Sequence, residues 1–333
     1  MTSGRLPQAN ENNAKAISKN ERPKLATEFS GAELVAEFLE TLETRSPATR
    51  DVYGRTLYRL TNWIAHRPGS RNAFTPETLT RTAISQYLSE LDREGRSLSS
   101  RTRVKAITGR FARWLLEEKG LLRRNPVREV TLPPQQVLAP RELTPDQRYI
   151  LQNLVEREGT VRCAALFALG YWTGCRVSDV AHLTSANTHV GPKIGWLRIG
   201  HKGGKMRDID LVNEARRPLD AYLKSDARLR RQSDFVFVSQ RAGRLTENGI
   251  HRWFATLKGR ARKEEWDLVQ DVTFHDLRHD FAHRARNAGW NLEEIAYYLG
   301  HTTARGLPAI QTTVRYTQVS REQVKSKLRL LPG

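Results

Sequence analysis

The stretch NPVREVTLPPQQVLAP, residues 125–140, governs how the rest of the chain is read. Four of its residues are proline. Proline lacks the amide donor that a helix interior or a central strand needs, and it biases the residue before it towards extended backbone. No regular element runs through such a segment, so it reads as an extended linker. The chain is therefore expected to fold as separate parts, residues 27–124 and residues 141–333. With 333 residues it is long enough for both, at roughly 100–200 residues per domain.

The part before the linker carries helix signals and no strand signal. Residues 1–26 are polar and aperiodic, a flexible basic tail without the apolar core of a secretory signal. Leu34, Val35, Phe38, Leu39 and Leu42 form one helical stripe, and Tyr53, Leu57, Leu60 and Ile64 a second. Thr75 and Pro76 fit an N-cap and first helical position, predicting a third helix that carries Leu79, with a fourth through Ile84, Tyr87 and Leu88. Ser99 or Ser100 is expected to cap a last helix with Val104, Ile107, Phe111 and Leu115 on one face.

Beyond the linker the pattern is mixed. Thr144 and Pro145 start a helix. Residues 161–174, VRCAALFALGYWTG, are apolar nearly all round and predict a buried helix ending at Gly174. KIGWLRIG and MRDIDLV alternate apolar and polar residues on either side of Lys202-Gly203-Gly204-Lys205, a β-hairpin signal. A helix follows over about 246–260. Phe274, Leu277, Phe281, Ala285 and Ala288 then mark another, and Asn291 caps one more that Gly300 ends. The expected fold is mainly α with a small antiparallel β-sheet.

Charge narrows the function. Lys plus Arg number 55 against 36 Asp plus Glu, a net +19 and a pI near 10.3. Such an excess is the footprint of nucleic-acid binding. The last helix of the first part bears Arg101, Arg103, Lys105, Arg110 and Arg113, and acids join it only at Glu117 and Glu118. These cations are candidate phosphate contacts, the alternative being a plain solvated face. No run of about 18 apolar residues is present, so no membrane span is expected. Cys163 and Cys175 are too few for a disulfide framework, which points to a reducing cytoplasm.

Four short segments carry chemistry in order: Thr173-Gly174-Cys175-Arg176; His201-Lys202-Gly203-Gly204-Lys205; His275-Asp276-Leu277-Arg278-His279; and Leu299-Gly300-His301 with a later Tyr316-Thr317. A phosphodiester under attack gathers negative charge on its non-bridging oxygens, and two arginines can clamp them with charge-assisted hydrogen bonds. Arg176 sits at a helix start, whose free amides can add to an anion site. Arg278 lies three residues after His275, so one helix presents a cation and a proton-handling group on the same side.

The ordered set resembles the tyrosine recombinase family, the lambda-integrase-like and Xer-like site-specific recombinases, over roughly residues 30–325. The resemblance is diffuse in SPATRDVYGRTLYRLTNWI and SLSSRTRVKAITGRFARWL and specific in TGCRVSDV, HKGGKMRDIDL, HDLRHDFA and LGH with YT. It implies a two-domain clamp, an all-helical core-DNA-binding domain and a mixed α/β catalytic domain, that cuts and rejoins DNA through a 3′-phosphotyrosine intermediate without metal, ATP or other cofactor. Tyr316 matches the nucleophile, Arg176 and Arg278 the phosphate clamp, His275 the proton-handling histidine, His301 the phosphate-bonding one and Asp179 a supporting acid. Lys202 matches the general acid for the leaving 5′ oxygen, with Lys205 as competitor. The implied partners are double-stranded DNA at paired sites and further copies of the chain, in a tetrameric synapse.

His301 and Tyr316 stand fifteen residues apart, where the family commonly has about nine. The surplus looks like a loop holding Gly306 and Pro308, and it favours a mobile-element enzyme. The final SREQVKSKLRLL can form a helix that docks on a neighbouring copy or on its own domain. Two rivals remain: a metal site on His275, His279 and His283, at i, i+4, i+8, and a DNA-binding regulator or architectural protein that keeps the fold without cutting.

Overall fold

The computed structural model describes residues 30–134, 141–200, 206–239, 243–303, 307 and 309–314. The chain divides into two compact units, Met1–Gln136 and Val137–Gly333. The basic tail, the hairpin tip with Lys202 and Lys205, Tyr316 and the C-terminal segment lie outside the described residues.

Among the described residues the first unit has four α-helices: α1 (Gly31–Glu40), α2 (Pro47–Ala65), α3 (Arg81–Arg93) and α4 (Leu98–Glu117). Each starts at a hydroxyl. The side chains of Ser30, Ser46, Thr80 and Ser97 accept from the backbone amides of Glu33, Thr49, Ala83 and Ser100. These bonds satisfy donors that a helix start leaves unpaired. The expected stripes face one core of Leu34, Phe38, Leu57, Leu60, Ile64, Ile107, Phe111 and Leu115. Phe38 meets Phe111 edge-on at 5.4 Å between ring centres.

Three local expectations are corrected. Thr75 and Pro76 open only a 3-10 turn, Pro76–Thr78, and the chain restarts at Thr80. The Thr78 hydroxyl bonds back to the Thr75 carbonyl, so it competes with continuation of the helix. Ser97, not Ser99 or Ser100, caps α4, because Gly95 at φ +76° turns the chain out of α3 early. The head of the proline-rich segment is a 3-10 turn, Pro126–Glu129, rather than extended chain. Asn125 Oδ1 accepts from the Val127 amide at 3.0 Å, and its Nδ2 donates to the Gly109 carbonyl at 2.9 Å. That double anchor buries Val127 and Val130 in the helical core.

The second unit runs α5 (Pro145–Glu158), α6 (Val161–Thr173), α7 (Val177–Ala181), β1 (Thr188–Val190), β2 (Gly195–Ile199), β3 (Arg207–Asp210), α8 (Asn213–Leu223), α9 (Asp226–Leu229), α10 (Glu247–Lys258), α11 (Lys263–Val269), α12 (Phe274–Asn287), α13 (Leu292–Leu299) and α14 (Ile310–Val314). The strands form an antiparallel sheet in the order β1-β2-β3. Leu197 pairs with Ile209 and Ile199 with Arg207, so the inward residues of the hairpin face the core together. Helix α6 is buried nearly all round, as its composition requires, and packs against α8 and α12. Asp280 is 0% exposed. Its carboxylate accepts from the Leu143 amide at 3.2 Å and from Arg148 and Arg284 at 2.8 Å. These bonds fix α12 against the entrance to α5. The fold is thus mainly helical with one small antiparallel sheet, as expected. Among the described residues no helix is long and apolar enough to cross a membrane.

Candidate active site

The candidate site is built where three chain turns meet. Helix α6 ends at Gly174 in the left-handed region, φ +59°, and α13 ends at Gly300, φ +67°. A side chain on Gly174 would begin 2.9 Å from Leu299 Cδ2 and Phe281 Cδ1, so glycine serves both the turn and the close approach. The third turn is the start of α7, where Arg176 is the N-cap residue.

Arg278 projects from α12 into the junction of these turns and is only 1% exposed. Its Nη1 donates to the Gly174 carbonyl and its Nη2 to the Leu299 carbonyl, both at 2.7 Å. A buried guanidinium needs such partners, since desolvating a charge without them costs several kcal/mol. Arg176 approaches from α7 and donates to the carbonyls of Leu299 and Gly300 at 3.1 Å. Two guanidiniums from elements about a hundred residues apart thus share the Leu299 carbonyl. The C-terminal end of α13 carries the negative pole of its helix, which favours this gathering of cations.

His301 follows directly and is 5% exposed. Its Nε2 lies 2.9 Å from Arg278 Nη2, and its Nδ1 3.0 Å from Thr313 Oγ1 on α14. Arginine only donates, so Nε2 is the acceptor and the ring proton sits on Nδ1. Burial, with Arg278 and Arg176 adding to it, pushes the imidazole down to about 3. The ring is therefore neutral, and it orients Arg278. A phosphate-bonding role for the same nitrogen requires moving the proton to Nε2. His275 lies on the first turn of α12, and burial together with Arg278 lowers its pKa below the usual histidine value. The His279 ring meets it edge-on at 4.4 Å, and burial drives His279 down to about 4. Cys175 is buried beside the site, and burial lifts its thiol to about 11, so it is a packing group at neutral pH.

Asp179 is buried, and its Oδ2 accepts from the Arg176 amide at 3.3 Å. Of the amides expected to be free at this helix start, that of Arg176 is taken up by the chain's own carboxylate. Asp179 Oδ2 also accepts from Arg207 Nη2 at 3.3 Å. Arg207 and Thr313 were not foreseen from the sequence. Arg207 had a visible signal, because it shares the inward face of its strand with Ile209. Among the described residues no group of three or more His, Cys, Asp or Glu side chains converges as a metal-ligand set. His283 of the histidine ladder turns towards Glu142, at 3.7 Å.

The basic face of α4 divides. Lys105, Arg110 and Arg113, with Arg45 and Arg128, line a cavity of about 860 Å³ floored by Phe38 and Trp114. Arg103 is exposed outside that lining. Arg101 does not join them: it is 13% exposed and paired with Asp92 of α3 at 2.9 Å. The acid that balances it comes from a neighbouring helix, which α4's own sequence does not show.

Residues 141–323, more than half of the chain, match the phage integrase family. The chain belongs to that family: it is a tyrosine recombinase, a site-specific enzyme of DNA strand transfer. It is 30% identical over 278 residues to tyrosine recombinase XerD of Halalkalibacterium halodurans, covering 82% of this chain and 87% of that one. Its fold is similar to the Tn1549 transposon integrase in complex with transposon right end DNA, with a TM-score of 0.70, 16% identity and coverage of 91% and 99%. A lambda integrase dimer bound to its core site is also similar, with a TM-score of 0.64, 16% identity and coverage of 88% and 81%.

Proposed function

We propose that this recombinase acts on double-stranded DNA at paired sites and passes through a 3′-phosphotyrosine link on Tyr316. The observation that carries the reading is the convergence of Arg176 and Arg278 on the Leu299 carbonyl. A phosphate entering between them takes up guanidinium donors, which stabilise the charge that builds on its non-bridging oxygens. Tyr316 Oη attacks phosphorus and its proton passes to His275, whose lowered pKa keeps the ring unprotonated near neutrality. The bond from phosphorus to the 5′ oxygen breaks, and that oxygen takes a proton from Lys202. Attack by a 5′ hydroxyl of another strand reverses the steps and rejoins the DNA. The energy of the broken ester is held in the tyrosine link, so the cycle calls for no ATP.

Asp179 anchors the Arg176 turn, and Lys105, Arg110, Arg113 and the exposed Arg103 bind DNA phosphates on the helical unit. Similar proteins that hold DNA, one of them as a dimer, support a DNA-bound oligomer, which we extend to a tetrameric synapse. The long interval from His301 to Tyr316 supports a mobile-element enzyme, and two cysteines, too few for a disulfide framework, support a place in the reducing cytoplasm. The test is a nicked suicide DNA that loses its short 5′ fragment after cleavage. It becomes attached to the wild-type protein at Tyr316, and Tyr316→Phe binds the DNA without forming the adduct. An adduct on Tyr316→Phe overturns the mechanism.

A further inference from the structure

Arg207 has no part in the steps above, yet it joins three elements. It opens β3, two residues after Lys205, and its side chain is 12% exposed. Nε donates to the Tyr298 carbonyl at 2.9 Å and Nη2 to Asp179 at 3.3 Å. Nη1 fills the space that a side chain on residue 300 would enter: a Cβ on Gly300 would lie 2.6 Å from it. The same Asp179 oxygen accepts from the Arg176 amide, and the carbonyls of Leu299 and Gly300 accept from the Arg176 guanidinium. Arg207 therefore grips both the peptide from which Arg176 springs and the turn that holds its side chain. Its planar fork fixes two directions at once, which a lysine ammonium does not.

We infer that Arg207 is a positioning residue: it fixes the start of β3 against the Arg176 turn, so that the proton donor proposed in the chain between β2 and β3 and the phosphate clamp meet one phosphate in register. This rests on the roles proposed for Lys202 and Arg176. A misplacement of about 1 Å at a reacting group costs on the order of 100-fold in rate.

The experiment uses full-length Arg207→Ala and Arg207→Lys, with Lys202→Ala in parallel, on a suicide substrate and on its 5′-phosphorothiolate analogue. Sulfur leaves without needing a proton, so the analogue relieves a misplaced proton donor and nothing else. Arg207→Ala is expected to slow cleavage of the oxygen substrate ~10- to 100-fold, hold DNA affinity within about twofold, and recover at least ~10-fold on the sulfur substrate. Arg207→Lys, which keeps the charge and the fold, shows the same recovery from a smaller loss. Equal slowing on both substrates, an unchanged rate on both, or lost DNA affinity in Arg207→Lys overturns the inference. Recovery of Lys202→Ala without recovery of Arg207→Ala overturns it alone. Recovery of Arg207→Ala beside an unrescued Lys202→Ala supports it and moves the donor to another residue between β2 and β3.

Discussion

Replacing Gly174 by alanine separates two costs that the structure makes distinct. Gly174 and Gly159 both end helices in the left-handed region, at φ +59° and +66°. Alanine in that conformation costs about 1–2 kcal/mol at either position. The surroundings differ. A Cβ on Gly159 meets only the Glu156 carbonyl at 3.8 Å, whereas one on Gly174 lies 2.9 Å from Leu299 and Phe281 carbons, both in the packed interior. Overpacking adds about 1–3 kcal/mol. Gly159→Ala is thus expected to lose about 1–2 kcal/mol and Gly174→Ala about 2–5 kcal/mol, a large share of the roughly 5–15 kcal/mol that holds a domain folded. Urea unfolding of the full-length variants by circular dichroism, with the slopes compared, measures both. Asparagine, which tolerates this backbone, softens the loss at 159 but not at 174. Equal losses at the two glycines would refute the packing argument. The Gly174 carbonyl also aims Arg278, so Gly174→Ala cleaves DNA slowly at temperatures where it is folded, while Gly159→Ala cleaves normally.

Three further outcomes follow from the site. Neutral His301 holds about 3 when folded against an ordinary value of 6.5, so the unfolded chain takes up the proton first as pH falls. Its contribution is full above about pH 6.5 and is lost between there and about pH 3, the loss reaching about 2 kcal/mol at pH 5. Urea midpoints at pH 7 and pH 5 should therefore differ more in the wild type than in His301→Gln, and equal differences would exclude the assignment. Arg176→Ala and Arg278→Ala both abolish the covalent adduct. The latter should melt lower, since it leaves two buried acceptors, the Gly174 carbonyl and His301 Nε2, without Arg278, at about 1–3 kcal/mol each, whereas the former leaves only the part-buried Gly300 carbonyl; matching melting curves would contradict the burial of Arg278. DNA affinity falls with salt at a slope near −0.9 per neutralised phosphate. Replacing Lys105, Arg110 and Arg113 together by glutamine should flatten that slope and Arg101→Gln should not. A triple variant with the wild-type slope removes the cavity from the DNA interface.

What the sequence made legible was local. Helix ends at Thr144, Gly174, Asn291 and Gly300 show because a cap needs a particular residue within a few positions. Strands β2 and β3 show because alternation and a Gly-Gly turn lie side by side. Helix α8 did not: Pro218 lies inside it and reads as a breaker. β1 is three residues long, too short for any period to register. The site divides the same way. Residue types and order marked Arg176, His275, Arg278 and His301. The shared Leu299 carbonyl, the Thr313 hydroxyl beneath His301 and the capture of Arg101 by Asp92 are contacts between elements, and no local pattern records them.

The two guanidiniums at the centre of the site hang on main-chain carbonyls and a neutral ring. A carbonyl is supplied by every amino acid, so no single substitution at residues 174, 299 or 300 deletes the acceptor. A carbonyl also carries no net charge: it fixes where each arginine points without cancelling what the arginine brings. The arginines are thus aimed in advance by groups that carry no net charge of their own, and the buried carboxylate next to them, Asp179, pairs with Arg207.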